Sequence, residues 1–363
     1  MSIFWSRLAR RITPYTPGEQ PRDRSYIKLN TNENPYPPSP QVLAAIQAAT
    51  DERLRLYPDP ECEELCQSIA RHFGINRRQV FVGNGSDELL AFCFLAYFDP
   101  GRPILFPDIT YSFYPVYADL FAIDYRLIPL DADFAVPLAE FAGAEGGIIL
   151  PNPNAPTGRA LTREEVGRLL AANPRVPVVL DEAYIDFGGE TAVPLIAEFP
   201  NLVVLQTLSK SRSLAGLRVG LALGQDETLD AINRIKHSFN SYTLDRLALA
   251  GAAAAFADDA YYREINARVA ATRQAVTERL TALEFRVVPS QANFLFISHR
   301  WRPASSLFLE LRRRGILVRY FSLPRIDNYL RVTMGTEEDM ATFIRVMTEI
   351  LAEGEAVDAK PLL

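Results

Sequence analysis

From about residue 40 to residue 225, short apolar runs alternate with segments of helical periodicity, and this alternation is the tightest constraint on the fold. The apolar runs fall at 79–82, 103–106, 124–128, 147–150, 176–180 and 202–205, with helical segments such as 61–73, 88–97 and 162–172 between them. Strands joined through helices pair in parallel, and a parallel sheet needs helices on both of its faces. The chain is therefore expected to be α/β. In such sheets ligands bind outside the carboxyl ends of the strands. Unusual residues cluster at those ends: Gly83 to Asp87, Asn152 to Gly158, Asp181 to Tyr184, and Ser209 with Lys210.

The remainder divides around this unit. Residues 1–38 are rich in proline and polar groups and read as an extended arm; 39–258 form the large domain, and 259–363 a smaller one. A long helical stretch at 260–283 leads into that smaller domain. Strands at 285–288, 294–297, 317–320 and 329–332 and helices at 305–314 and 337–351 make it α+β. A length of 363 residues accommodates both units. A net charge of −6 argues against a nucleic-acid-binding face. The three cysteines lack metal-site spacing and suit reduced thiols in a cytoplasm, with Cys62 and Cys66 on one helix face. No apolar stretch reaches the ~20 residues of a membrane span, and the start lacks the apolar run of a signal peptide. The three histidines lie near no acidic cluster of ligand spacing, which disfavours metal sites and serine–histidine triads.

Lysine is rare here: four residues (Lys28, Lys210, Lys236, Lys360) against 34 arginines. Lys210 stands in Thr207-Leu-Ser-Lys210, just after a buried-strand pattern. Lysine can lose its proton and attack a carbonyl, whereas arginine effectively cannot. Gly83-Asn-Gly-Ser-Asp-Glu88 follows a strand and opens a helix, so Gly85, Ser86 and Asp87 suit a phosphate, although an ordinary capped turn fits the same residues. Thr207, Ser209 and Arg218 could give the same phosphate two hydroxyls and a guanidinium; Arg218 is equally compatible with an exposed loop. Asp181 ends an apolar strand, where a carboxylate is expensive without a cation; a protonated pyridine nitrogen is one candidate and a turn cap another. Tyr184 could reach a phenolic oxygen on that ring. Tyr111 suits stacking on a flat ring or core packing. Arg331 suits a bidentate carboxylate clamp or a strand surface. Taken together they describe a pyridine aldehyde phosphate held on Lys210.

At this point the sequence resembles the fold-type I, class II pyridoxal 5'-phosphate (PLP) aminotransferases, and within them the histidinol-phosphate branch. The resemblance runs from Ile12-Thr-Pro-Tyr15 and Lys28-Leu-Asn-Thr-Asn-Glu-Asn-Pro35 through Asp181-Glu-Ala-Tyr184 and Thr207-Leu-Ser-Lys210 to Leu330-Arg-Val-Thr-Met-Gly335. It implies a large domain with a mostly parallel seven-stranded sheet. It also implies that Lys210 carries the cofactor aldehyde, Asp181 pairs with the pyridinium, Tyr184 bonds the phenolate oxygen and Tyr111 stacks on the ring. Ser86, Asp87, Thr207, Ser209 and Arg218 would hold the phosphate, and Tyr57 would serve the phosphate site of a neighbouring subunit, implying a homodimer. Tyr15 and Asn34 would line the substrate entrance, with Arg319 and Arg331 receiving the anionic group of the amino donor. Many relatives carry asparagine directly before the Pro-Thr-Gly turn; this chain has Ala155 there, and the resemblance implies that Asn154 would take the role from one residue upstream. The implied reaction moves an amino group from histidinol phosphate to 2-oxoglutarate. Rivals on related scaffolds are an aromatic amino-acid aminotransferase and a threonine-phosphate decarboxylase. A PLP-sensing regulator, from another functional class, would need a fused DNA-binding module.

Overall fold

The computed structural model describes residues 3–358. The arm carries a short helix, α1 (Arg7–Arg11), and a two-residue strand, β1 (Ile27–Lys28). Then come α2 (Pro40–Ala48), α3 (Glu63–Phe73), β2 (Val80–Asn84), α4 (Gly85–Tyr97), β3 (Ile104–Pro107), α5 (Phe113–Phe121) and β4 (Tyr125–Ile128). The large unit continues through β5 (Gly147–Pro151), α6 (Arg163–Ala172), β6 (Val178–Asp181), β7 (Leu202–Thr207), β8 (Val219–Leu223), α7 (Asp226–Phe239) and α8 (Arg246–Ala257). After α9 (Asp259–Ala282) follow β9 (Phe285–Val288), β10 (Phe294–His299), α10 (Ala304–Arg313), β11 (Ile316–Leu317), β12 (Arg319–Tyr320), β13 (Leu330–Thr333) and α11 (Glu337–Asp358).

Several helix starts follow from local chemistry. Ser39 caps α2 with Pro40 in its first turn, and Thr162 and Glu165 form a reciprocal capping box on α6. Asp245 accepts two backbone N–H groups at the start of α8.

Seven strands form the large sheet in the order β2-β8-β7-β6-β5-β3-β4. Every pairing is parallel except those of β8, which runs antiparallel to both β2 and β7. Six of the seven strands match the apolar runs read from sequence. The seventh, β8, was missed there because Ala215-Gly-Leu-Arg-Val-Gly220 reads as a glycine-rich turn; a 3-10 turn at Ala215–Leu217 leads directly into the strand.

Strand periodicity places the chemistry. Along β6, Val178 and Leu180 join the core under α3, α6 and α8, while Val179 joins the core under α4, α5 and α7. Successive side chains alternate faces, so Asp181 falls on the Val179 side, toward Tyr114 of α5. The same count along β7 puts Thr207 with Leu205, on the α4 side. Each of these fully buried aliphatic side chains contributes roughly 1.5–3 kcal/mol. The strand ends are thereby fixed from both faces.

The second sheet has the order β12-β13-β10-β9 and is antiparallel throughout. The single strand expected over 317–320 is split: β11 pairs in parallel with β1 of the arm, whereas β12 joins β13. The arm is tied down again where Glu19 pairs with Arg312 at 3.0 Å. Cys62, Cys66 and Cys93 are buried free thiols. Among the described residues no helix is long and apolar enough to cross a membrane.

Candidate active site

The carboxyl ends of β3, β5, β6 and β7 open into a cavity of about 550 Å³. Lys210 lies on its wall, three residues past the end of β7, and its Nζ donates to the Thr31 carbonyl at 3.1 Å. Burial, helped by the Arg331 guanidinium, lowers its pKa to about 8, with Glu33 and Asp87 opposing the shift. About a tenth of this amine is therefore unprotonated at pH 7, far more than of an ordinary lysine, which favours a nucleophile or proton carrier.

One end of the cavity is built for an anion. Helix α4 starts at Gly85 without a side-chain cap, so the N–H groups of its first turn remain available. Gly85 takes φ +76°, and a Cβ on it would stand 2.7 Å from Nη2 of Arg218. A Cβ on Gly220 would lie 2.5 Å from the Gly85 carbonyl carbon and 2.7 Å from the Ser86 nitrogen. Backbone atoms leave no room for a side chain at Gly220, and the positive φ favours glycine at Gly85, so β8 presses against this helix start. Arg218 itself is left-handed at φ 55°, and its Nη2 meets Asp87 Oδ2 at 3.2 Å. The buried hydroxyls of Thr207 and Ser209 lie 3.0 Å apart beside it.

Asp181 forms the floor. It is 5% exposed, accepting from the Tyr114 hydroxyl at 3.1 Å and from the Ala183 N–H at 3.2 Å. Burial pushes its pKa up to about 6 in spite of those two bonds. No cation within this chain forms a salt bridge to it among the described residues, so a positively charged ring nitrogen would find a partner there. Tyr184 stands over the same space with its hydroxyl accepting from Asn32 Nδ2 at 2.9 Å. Tyr111 closes one side and donates to Asp87 Oδ1 at 3.1 Å. At the mouth, Tyr15 stacks on Phe113 with ring centroids 4.3 Å apart. Arg319 and Arg331 complete the wall, without a carboxylate partner among the described residues; Arg331 donates to the Asn30 carbonyl at 2.9 Å and leaves its Nε unpaired.

Three expected residues stand elsewhere. Asn34 lies behind the wall, its amide donating to the Lys210 carbonyl at 3.0 Å and its oxygen accepting from the Tyr36 N–H. Asn154 is fully buried with its amide committed to Ile109 O and Thr157 Oγ1, and Ala155 forms the cavity surface instead. Tyr57 is 78% exposed and stacks on Tyr242, outside this cavity. Sequence reasoning missed Asn32, Glu33 and Tyr114. The Asn30-Thr-Asn-Glu-Asn34 run pointed to the right segment, but only Asn32 takes the left-handed conformation (φ 57°) that turns its amide to Tyr184. Tyr114 gave no signal beyond an aromatic position on a helix.

The family model for aminotransferases of class I and II matches residues 24–347. The chain belongs to the class I and II aminotransferases. It is 52% identical to the histidinol-phosphate aminotransferase of Clostridium acetobutylicum over 97% of this chain and 100% of that protein. The corresponding enzyme of Aromatoleum aromaticum is also 52% identical, with 97% and 100% covered. Among solved structures, the histidinol-phosphate aminotransferase of Sinorhizobium meliloti in complex with pyridoxal 5'-phosphate superposes with a TM-score of 0.85 at 24% identity, covering 96% and 99%. The aspartate aminotransferase of Thermus thermophilus with maleate gives 0.78 at 17% identity, covering 90% and 92%. These structural likenesses establish the fold. As an aminotransferase site, the cavity fits the family cofactor on three observations: the uncapped helix start beside Arg218, the buried Asp181 carboxylate, and a lysine between them.

Proposed function

We propose that this aminotransferase transfers the amino group of histidinol phosphate to 2-oxoglutarate, giving imidazole acetol phosphate and glutamate in L-histidine biosynthesis. The observation that carries the reading is the presence of two separate anion-binding ends in one cavity. The helix α4 start with Arg218 serves the cofactor phosphate; Arg319 and Arg331 remain for a phosphate or carboxylate on the substrate. The near-complete overlap with relatives of that name supports the same assignment.

PLP, when bound, supplies an electron sink that makes the hydrogen on the amine-bearing carbon removable. The protein supplies the rest. The first-turn N–H groups of α4, the Ser209 and Thr207 hydroxyls and Arg218 bind the phosphate. Asp181 holds a proton on the ring nitrogen, and the Tyr184 hydroxyl orients the ring oxygen. Tyr111 covers one ring face and excludes water. Lys210 would hold the cofactor aldehyde and, as a free amine, would carry the proton away from the substrate carbon; its lowered pKa suits it to accept a proton and return it. Arg331, with Arg319, sets the substrate's orientation through its anionic end.

We read the active unit as a homodimer. Exposed Tyr57, beside exposed Leu54 and Leu56, supports a contact that reaches the phosphate site of a second copy. We also read residues 1–38, 39–258 and 259–363 as arm, large domain and small domain, on the support of the two separate sheets and the β1–β11 pairing. A cytoplasmic, small-molecule enzyme is the setting this reading requires.

A half-reaction screen tests the substrate. The PLP form is mixed with histidinol phosphate, phenylalanine, tyrosine or glutamate, and loss of the visible band of the lysine-bound cofactor is followed. Histidinol phosphate is expected to react fastest of the three donors other than glutamate. Conversion of phenylalanine without histidinol phosphate would replace this reading with the aromatic one, which the aromatic wall of Tyr15, Tyr111 and Phe321 makes the only rival worth retaining.

A further inference from the structure

The substrate side of the cavity is dominated by positive charge from Lys210, Arg319 and Arg331, yet Glu33 also stands on its wall. The other carboxylates there have partners or another task. Asp87 is engaged by Arg218 and Tyr111, Asp108 by Arg325 at 2.6 Å, and Asp181 forms the floor. Glu33 is held differently. Lys28 Nζ lies 2.8 Å from Oε1 and 2.7 Å from Oε2, and the Thr31 hydroxyl donates to Oε2 at 2.9 Å. Two of its partners lie on its own segment, so the carboxylate is fixed in direction. Its side chain is still 44% exposed. An ionised carboxylate accepts about four hydrogen bonds, which leaves at least one acceptor position open on this residue of the cavity wall. The Thr31 carbonyl, two residues away, accepts from Lys210 Nζ, so Glu33 stands beside the place where the amine reacts.

We propose that Glu33 recognises the ring N–H of an imidazole-bearing amino donor, with Lys28 and Thr31 as the residues that position its carboxylate. This rests on the histidinol-phosphate reading above and names the group that separates that donor from a phenyl one. The donor's anionic end is drawn to Arg319 and Arg331, and its ring then carries either one N–H donor or, when protonated, two. A charge-assisted bond to Glu33 is available to an imidazole and unavailable to a benzene ring of similar size and flatness. Phenylalanine would leave the acceptor position desolvated and unpaired, a penalty that discriminates more strongly than shape alone. The interaction with Lys28 keeps Glu33 ionised, since Lys28 and Thr31 both hold its carboxyl below the usual range against the effect of burial.

The test compares single-turnover half-reactions of the wild-type holoenzyme and its Glu33→Gln and Glu33→Asp variants with histidinol phosphate and with phenylalanine. Glutamine keeps the shape but replaces one acceptor oxygen by a donor nitrogen and removes the charge. The ratio of kcat/KM for histidinol phosphate over phenylalanine is expected to fall about 10- to 100-fold in Glu33→Gln, mainly through KM, the range of one hydrogen bond to a charged group. Glu33→Asp keeps the charge at a shorter reach and is expected to lose less of the ratio. The visible band of the lysine-bound cofactor confirms that each variant is folded and loaded. An unchanged ratio, or an equal loss on both donors, overturns the assignment while leaving the reading of function intact. A wild-type enzyme that converts phenylalanine and not histidinol phosphate overturns both together, so the two failures are told apart.

Discussion

Replacing Asp181 by asparagine is expected to stabilise the cofactor-free protein while crippling the enzyme. The carboxyl is buried beneath the cavity, and burial raises its pKa from the ordinary 3.8 to about 6 although Tyr114 and the Ala183 N–H bond to it. A difference of about 2 units corresponds to about 3 kcal/mol between the folded and unfolded chain. Because the folded-state pKa is the higher one, the folded protein is at its best while the carboxyl is protonated. That advantage is whole below about pH 4 and is lost as pH rises through about 6. Asparagine is never ionised and escapes the loss. Integrating between the two pKa values, cofactor-free Asp181→Asn should exceed the wild type by about 2 kcal/mol at pH 5 and by about 3 kcal/mol at pH 8. Glu182, whose pKa burial pushes up to about 7, adds its own pH dependence, but equally to both proteins. The assay is denaturant unfolding of both cofactor-free proteins at the two pH values, at one protein concentration. An advantage that does not grow with pH, or a variant less stable than wild type at pH 8, would refute the argument. In the loaded enzyme the sign reverses. An amide cannot hold a proton on the ring nitrogen as a carboxylate does, and kcat should fall by about 100-fold or more at unchanged visible absorbance.

Gly85→Ala places a Cβ 2.7 Å from the Arg218 guanidinium at a residue with φ +76°; PLP affinity, measured by titration of the visible band, is expected to weaken about 10-fold, and unchanged affinity would rule out the proposed cradle. If Tyr57 serves the second subunit, co-expressing Tyr57→Ala with Lys210→Ala should yield mixed dimers containing one intact site. Their activity should exceed that of either parent, and the absence of any rescue would place Tyr57 outside the partner's site.

Much of this architecture was legible because it follows from period and polarity. At the sheet edge, β4 carries Arg126 and is exposed at three of its four residues, but five strands of the large sheet are mostly apolar runs, and such runs leave few alternatives to a buried parallel strand. Asp181 stood out for the same reason: a charge ending a strand of that kind calls for a partner. Strand β8 was hidden because Gly216 before it and Gly220 within it resemble a turn, and only the approach of Gly220 to Gly85 explains why the second is there. The split between β11 and β12 was equally invisible, since it depends on β1 of the arm arriving from almost 300 residues away. Asn32, Asn34 and Asn154 show the limit most clearly. Their identity marked the right loops, but which amide reaches the cavity depends on a left-handed residue at 32 and on the carbonyls of Ile109 and Lys210.

Two conformations that escaped sequence reasoning meet at the cavity. Asn32 at φ 57° and Arg218 at φ 55° are both non-glycine residues in the left-handed region, and both bear on the cavity. Each costs about 1 kcal/mol or more, less for Asn32, whose amide side chain tolerates that region better than arginine does. Surrounding bonds hold them in place: Thr333 and Asn293 bind Asn32, and the pairing of β8 with β2 and β7 fixes the chain immediately after Arg218. Added to them are a helix start with no side-chain cap and a buried carboxylate with a raised pKa. All four features are unfavourable for the folded chain alone, and the last two, together with Arg218, share a remedy. A flat ligand with a phosphate at one end and a protonated ring nitrogen further in offsets the uncapped helix and the buried charge at once, and it gives the strained Arg218 an anion to meet. A neutral ring would correct neither electrostatic defect, and a free phosphate would correct only the first. A ligand that carried both charges would relieve both defects, and Lys210 lies on the wall of the same cavity.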